Sequence, residues 1–499
     1  MLSVFINIIV VLYALAILFV LIHSIFDAHL IYHYLHSFGK KKQPVHSKDF
    51  LPFVTIQLPV YNEMYVVERL IDAVAAIDYP ADKIEIQVLD DSTDETSDII
   101  AGKVALLKKQ NITVDHIKRQ NREGFKGGAL KHGLSLAKGD YIAVFDADFL
   151  PSIDFLKKTI PWFTDPDIGM VQTKWGHINK ETSLLARLQA IALDGHFSVE
   201  QRGRNAAGYF INFNGTAGVW RKQTILDAGN WQSDTLTEDF DLSYRAQMKG
   251  WKFKYLEDFI TPAELPPFVS ALKSQQFRWT KGGAETARKN MKTLFASKLS
   301  LSVKLHGAFH LIYSLGFISI IIYTLLSVPL LFVKEYYPDY NLLFKISSLI
   351  GISFLIYILH YFISYFNNSP GSVTKKLAGF IFHFPLFVSL FIGLSLSNSI
   401  GIIQGYFNIK SGFIRTPKFN AVNSSDTMIR NRYNQTKINW LNSVEGILVF
   451  YFLFGVIESF YFKNYASLPL LLMALTGFSM IFALGIKEWR QKAFATFHD

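Results

Sequence analysis

Two hydrophobic patterns alternate along the 499 residues. Residues 2–26 (LSVFINIIVVLYALAILFVLIHSIF) hold no Asp, Glu, Lys or Arg. At about 1.5 Å rise per residue, such a run crosses a hydrocarbon core of about 30 Å. The reading is an N-terminal transmembrane helix over 1–30. A secretory signal would show a basic start and a small-residue cleavage site, and neither is visible. Apolar runs return at 305–333, 346–366, 377–400, 442–462 and 466–486. Between these regions, residues 51–260 change period. Phe53–Pro59, Ile84–Leu89, Thr113–Lys118 and Asp140–Phe145 read as strands, and 64–77, 94–109 and 126–137 as helices. This alternation predicts a mostly parallel sheet with helices on both faces. Ligands of such sheets bind beyond the C-terminal ends of the strands.

Charge orients these pieces. Lys40-Lys41-Lys42 follow the first apolar run. Basic residues recur at Lys410, Arg415, Lys418, Arg430, Arg432 and Lys437, and again from Lys487 to Lys492. The positive-inside bias puts all of them on the cytosolic side. The expected order is a transmembrane helix at 1–30, a cytosolic α/β domain at 50–262 and amphipathic interfacial helices at 263–300. Transmembrane or interfacial helices follow at 301–407, a cytosolic loop at 408–441, a transmembrane hairpin at 442–487 and a cytosolic tail at 488–499. One segment is ambiguous. If 305–333 and 346–366 form a hairpin, Lys375-Lys376 are already back in the cytosol. Then 377–407 must enter and leave the same face, or lie along it.

Composition agrees with this mixture. Half the residues are hydrophobic, 44 of them Phe, yet 18% are charged, too many for a chain wholly in lipid. The net charge of +10 fits a cytosolic membrane face. No basic stripe or reader motif points to nucleic acid, so membrane lipids are the expected neighbours. With no cysteine, disulfides and thiolate metal sites are excluded.

The polar clusters fall where the strands end. Tyr61-Asn62-Glu63 follow the first strand, Asp90-Asp91-Ser92 the second, and Asp146-Ala147-Asp148 the fourth. Two carboxylates one residue apart suit a hard cation, Mg²⁺ or Mn²⁺, which keeps substrate phosphates in its shell. A solvated acidic turn has the same local sequence. Lys126 in EGFKGGALKHG opens a helix beside two glycines, as a phosphate site or as a solvent-facing helix start. Glu238, Asp239 and Asp241 fit either a general base or the acidic first turn of a helix. Asn214-Gly215-Thr216 form a small-residue loop after aromatics, suited to a sugar or to a tight buried turn. Gln275, Arg278 and Trp279 stand at i, i+3 and i+4, on one helix face. Arg pairs with phosphate oxygens and an indole packs on a pyranose. The alternative is an interfacial helix with Arg snorkelling and Trp at headgroup level.

Taken together, PVYNE (59–63), LDDSTDE (89–95), FKGGAL (125–130), FDADF (145–149), FNGTAGVWR (213–221), TEDFDLSYR (237–245) and QQFRW (275–279) resemble the membrane-integrated processive enzymes of glycosyltransferase family 2. With LDGHFSVEQ (193–201), the wording is most similar to the cellulose-synthase-like A and C families, the mannan, glucomannan and xyloglucan-backbone synthases. The resemblance implies an α/β GT-A (Rossmann-like) cytosolic catalytic domain inserted in an α-helical multi-pass transmembrane domain. It implies that Tyr61, Glu63, Asp90 or Asp91, Lys126 and Asp146 hold the nucleotide sugar, and that Asp146 and Asp148 hold the metal. Asp239, beside Glu238, is the implied base. Gln275, Arg278 and Trp279, with Asn214, Gly215 and Thr216, are the implied diphosphate and acceptor contacts. Phe413, Thr416 and Lys418 are similar to the F-x-V-T-x-K gating loop of bacterial cellulose synthase, with Arg415 in place of Val. The long insert of plant cellulose synthases and an appended cyclic-nucleotide-sensing domain are both expected to be lacking. The implied reaction is an inverting, metal-dependent transfer from UDP-glucose or GDP-mannose to a growing β-linked polysaccharide, with translocation of the product. The setting would be a bacterial inner membrane or a Golgi-type membrane. The alternative is transfer of one hexose to a lipid, as in ceramide glucosyltransferases.

Overall fold

The computed structural model describes residues 1–38, 50–412, 415–420 and 439–497. Helix α1 (Leu2–His36) stands first. The α/β unit follows as β1 (Val54–Val60), α2 (Val67–Ala75), β2 (Ile84–Asp90), α3 (Thr96–Lys109), β3 (Val114–Lys118), α4 (Phe125–Leu136) and β4 (Tyr141–Val144). It continues with α5 (Phe155–Thr159), β5 (Ile168–His177), α6 (Leu184–Gly195), a π-helical turn (His196–Glu200), α7 (Gln201–Ala207), β6 (Gly218–Arg221), α8 (Lys222–Asp227), α9 (Glu238–Met248) and β7 (Lys252–Ala263). Every strand and helix expected from the pattern is present. Helix α2 starts later than its apolar pattern, because Val66 and Val67 first donate to the carbonyl of Glu63 in a turn.

The seven strands form one sheet in the order β3-β2-β1-β4-β6-β5-β7. The first four pair in parallel, as expected, and so do β5 and β7. The sheet is thus mostly parallel, as expected; the exception is β6, antiparallel to both β4 and β5. That reversal has a consequence for the site. Gly218 opens β6 opposite Val144, the last residue of β4. The loop leading into β6, Asn214 to Ala217, therefore arrives at the edge where β1, β2 and β4 finish.

Both faces of the sheet are buried, which is why its strands read as continuous apolar runs. Ile56, Leu58, Val88 and Phe145 pack under α2 and α3 on one side. Leu130, Val144, Met170, Trp220 and Trp231 fill the other. Two polar pairs bridge neighbouring strands inside: Thr55 donates to Glu85 at 2.6 Å, and Gln57 to Gln87 at 3.0 Å. A buried polar group without a partner would cost about 1–3 kcal/mol.

The helical half comprises α10 (Val269–Ala296), α11 (Leu301–Ile312), α12 (Leu315–Tyr336), α13 (Asn341–Ser347), α14 (Ile350–Asn368), α15 (Val373–Tyr406), α16 (Trp440–Tyr461) and α17 (Leu468–Phe497). Among the described residues, six helices or helix pairs are long and apolar enough to cross a membrane, α15 included. Both ends of α15 lie beside the α/β unit or α10. Near its start, Phe380, Phe384 and Phe387 pack with Leu185 and Leu188 of α6. Near its end, a β-carbon on Gly401 would stand 3.0 Å from the Phe277 carbonyl, and one on Gly405 would stand 2.6 Å from that of Lys281. An unbroken helix thus runs under the α/β unit, and residues 415–420 return to the unit's edge. Glu488 of α17 accepts the N–H groups of Val269 and Ser270, which ties the start of α10 to the last helix.

Candidate active site

The strand ends and α10 enclose a cleft of about 180 Å³. From the first strand, Tyr61 and Glu63 line it, with the Arg122 guanidinium 3.3 Å above the Tyr61 ring. From the second, Asp91 lines it and receives Arg119 through both oxygens, at 2.9 and 2.5 Å. Asp90 is placed differently. Its side chain lies beneath the cleft and is consumed by the Ser92 N–H, the Ser97 hydroxyl and the His116 ring. Burial works against its ionisation, but His116 and the two serines outweigh it and hold Asp90 down to about 2. Of the two adjacent aspartates, Asp91 faces the ligand space and Asp90 braces the turn.

Lys126 lies at the bottom of the cleft. Its ammonium is 2.5 Å from Asp146 and donates to the Gly215 carbonyl at 2.9 Å. Gly127 packs closely as well: a β-carbon there would stand 3.3 Å from the Glu238 side chain. Gly215 has φ +81°, and a β-carbon there would reach Asp239 Oδ2 at 2.9 Å. These close approaches bring Lys126, Asp146, Glu238 and Asp239 into one group. Burial raises the Lys126-adjacent carboxyl Asp239 above its usual range, and Glu238 raises it further; Lys126 pulls the other way. Thr216, fully buried, accepts the Asp146 N–H at 2.9 Å and so shapes the loop rather than meeting solvent.

Gln275, Arg278 and Trp279 all line the opposite wall. Thus the shared helix face faces the carboxylates. The remaining wall comes from the far end of the sequence. Lys418 contacts Asp148 at 2.6 Å, Arg415 contacts Glu63 at 2.6 Å, and Arg278 donates to Thr416 at 3.4 Å. Phe419 N–H and Arg69 meet Glu264, which anchors this segment to the sheet edge. Phe413 lies outside the described residues. Burial pushes Glu63 up to about 7, against the pull of Arg415 and Lys418.

Arg119, which holds Asp91, Arg122, which lines the cleft, and the Arg415–Glu63 ion pair were not singled out from the pattern alone. The first two precede Lys126 in KRQNREGFK, where basic residues beside a phosphate-type helix start were the available signal. Arg415 was visible as one of the basic loop residues and as a departure from the motif.

The sheet order and the clustered carboxylates define a GT-A domain set among apolar helices. Residues 52–282 match the model of glycosyltransferase like family 2. The chain is 42% identical over 281 residues to probable glucomannan 4-beta-mannosyltransferase 4 of Oryza sativa subsp. japonica, covering 55% of this chain and 51% of that one. It is 40% identical over 282 residues to glucomannan 4-beta-mannosyltransferase 1 of Cyamopsis tetragonoloba, covering 56% and 53%. The match thus spans about half the length of these curated relatives. The mannosyltransferase PcManGT of Pyrobaculum calidifontis, solved in complex with GDP-Man and Mn²⁺, has a similar fold, with a TM-score of 0.53 over 80% of this chain and all of that one, at 17% identity. Over residues 52–282 the chain is similar to glycosyltransferase family 2.

Proposed function

We propose that the chain is an inverting membrane glycosyltransferase that extends a β-linked polysaccharide from a nucleotide-hexose donor. One observation carries the reading. Lys126, Asp146, Asp148, Asp239 and Trp279, drawn from separate elements, line a single cleft. The names of the relatives favour a mannosyl donor, GDP-mannose, over UDP-glucose. Tyr61, Asp91 and Arg122 form the end suited to the nucleoside, and Lys126 and Arg278 the part suited to the diphosphate.

Asp239 takes the proton of an acceptor hydroxyl. The oxygen forms a bond to the anomeric carbon as that carbon's bond to the diphosphate breaks, and the diphosphate departs with the electron pair. Attack opposite the leaving group inverts the centre, so an α-linked donor yields a β-linkage. The raised affinity of Asp239 for protons suits a base working near neutral pH. Trp279 offers a flat apolar face to the end of the acceptor.

A divalent cation fits the residues present. Asp146 and Asp148 supply two hard oxygen donors, and among the described residues no third His, Cys, Asp or Glu completes a protein cage. This donor set suits Mg²⁺ or Mn²⁺ sharing its shell with diphosphate oxygens. When bound, the cation would neutralise charge on the leaving group. Lys418 must then leave Asp148.

The same reading puts the α/β unit on the cytosolic face, with α10 and α15 at the membrane surface and the product passing between the remaining helices. The test is incubation of the purified full chain with a panel of nucleotide sugars and Mn²⁺ or Mg²⁺, with linkage analysis of the product. A β-linked hexose polymer is expected. A single hexose on lipid would replace polymer synthesis by lipid glycosylation, and turnover of no nucleotide sugar would refute the reading.

A further inference from the structure

We infer that His196 and Glu200 are positioning residues for the transfer: they clamp the Asn214 amide so that it presents a hydrogen-bond donor to a sugar hydroxyl beside Asp239. The inference rests on the glycosyl-transfer reading above.

The stretch LDGHFSVEQ has no place in that chemistry, yet its middle forms the π-helical turn His196–Glu200. Such turns insert an extra residue into a helix and are frequent at functional sites. Here the turn brings two side chains into line. His196 Nδ1 meets Glu200 Oε2 at 3.1 Å, and Nε2 meets Asn214 Oδ1 at 3.2 Å. Asn212 Nδ2 also donates to Asn214 Oδ1, at 2.8 Å. The His196 ring thus bridges the Glu200 carboxylate and the Asn214 amide. Burial works to raise the Glu200 pKa, but His196 outweighs it, and the carboxylate is held well below its usual range.

The clamp acts at a distance from the ligand space. Asn214 lines the cleft, whereas His196 and Glu200 do not. With its oxygen held by two donors, Asn214 has the nitrogen end for the cleft; that nitrogen makes only a 3.4 Å contact to the Asn212 carbonyl. The next residue is Gly215, whose backbone abuts Asp239. The amide is thus held beside the proposed base. The clamp is anchored from the helical half. Tyr313, just before α12, donates to Glu200 Oε1 at 3.1 Å, and His360 of α14 meets the Gly195 carbonyl at 3.3 Å. A loose amide would be free to flip and offer its oxygen instead.

The experiment uses the full chain in detergent, with Glu200→Gln, His196→Ala, Asn214→Ala and the His196→Ala/Asn214→Ala pair. Binding of GDP and UDP with Mg²⁺ is measured by calorimetry, and kcat and acceptor KM by sugar incorporation. Each variant should bind nucleoside diphosphate within about twofold of wild type and lose roughly tenfold to a hundredfold in transfer. The double variant should be no slower than Asn214→Ala, because the clamp acts only through that amide. Additive losses, a matching loss of nucleotide binding, or full transfer by Glu200→Gln would each overturn the inference. Absence of transfer in wild type is a separate result: it removes the underlying glycosyl-transfer reading before any variant is compared.

Discussion

The α/β unit and the helical half reach the same cleft by different means. In the α/β unit, the residues proposed to react sit at strand ends and helix starts, within a few residues of the backbone feature that aims them. Lys126 opens α4, Asp146 follows β4, and Asp239 lies in the first turn of α9. In the helical half, long apolar helices offer no such local address. Its contributions, Lys418 on Asp148 and Arg415 on Glu63, exist only because α15 runs beneath the catalytic unit and delivers the chain there. Chemistry is local in the first region and borrowed through packing in the second.

Asp239→Asn should separate the two most strongly. It keeps the shape of the cleft and removes the base, so transfer should fall about 10²- to 10⁴-fold while nucleoside diphosphate binding holds; retained transfer would move the base elsewhere. The pH profile sharpens the same point. A base with a raised pKa stays protonated to higher pH, so activity should fall, on acidification, above the ordinary carboxylate range near 4. An acid limb at or below that value contradicts the assignment.

In the helical half, Gly477→Val should be the most damaging single change. A β-carbon at Gly477 would stand 1.9 Å from the Ser389 carbonyl, so α15 and α17 must move apart. A loss of about 1–3 kcal/mol, read as a lower unfolding midpoint in detergent, is expected; an unchanged midpoint would mean that the helices do not meet so closely. Lys418→Met tests the link between the regions. If the ammonium passes from Asp148 to the diphosphate, affinity for GDP or UDP with Mg²⁺ should fall about tenfold, the scale of one charged hydrogen bond. Equal affinity would make 415–420 a bystander. Lys103→Ala, at the surface pair with Asp72, should change stability by less than about 1 kcal/mol and activity not at all. A larger effect would show that the two regions communicate through α3.

Much of the site was legible because its residues lie in contiguous motifs. PVYNE, FDADF and QQFRW each bring several side chains to the cleft, since a strand end or one helix turn aims neighbours together. The pair Asp90-Asp91 shows the limit. Adjacent residues at a strand end point to opposite sides, and only the position of His116 on β3 reveals which one is withdrawn. The ambiguity over 377–407 had the same origin. Apolar composition specifies contact with lipid or protein, not direction; the structure shows α15 packed against α6 near its start and against α10 near its end.

By itself, the sequence determined the alternation of strands and helices, the apolar segments and the identity of the charged groups, because these depend on neighbours a few residues apart. Tertiary structure alone decided the antiparallel placement of β6, the burial of Asp90, the clamp on Asn214 and the entry of Arg415 and Lys418 into the cleft. These depend on segments far apart along the chain, whose encounter is set by packing and by the need to pair buried charge.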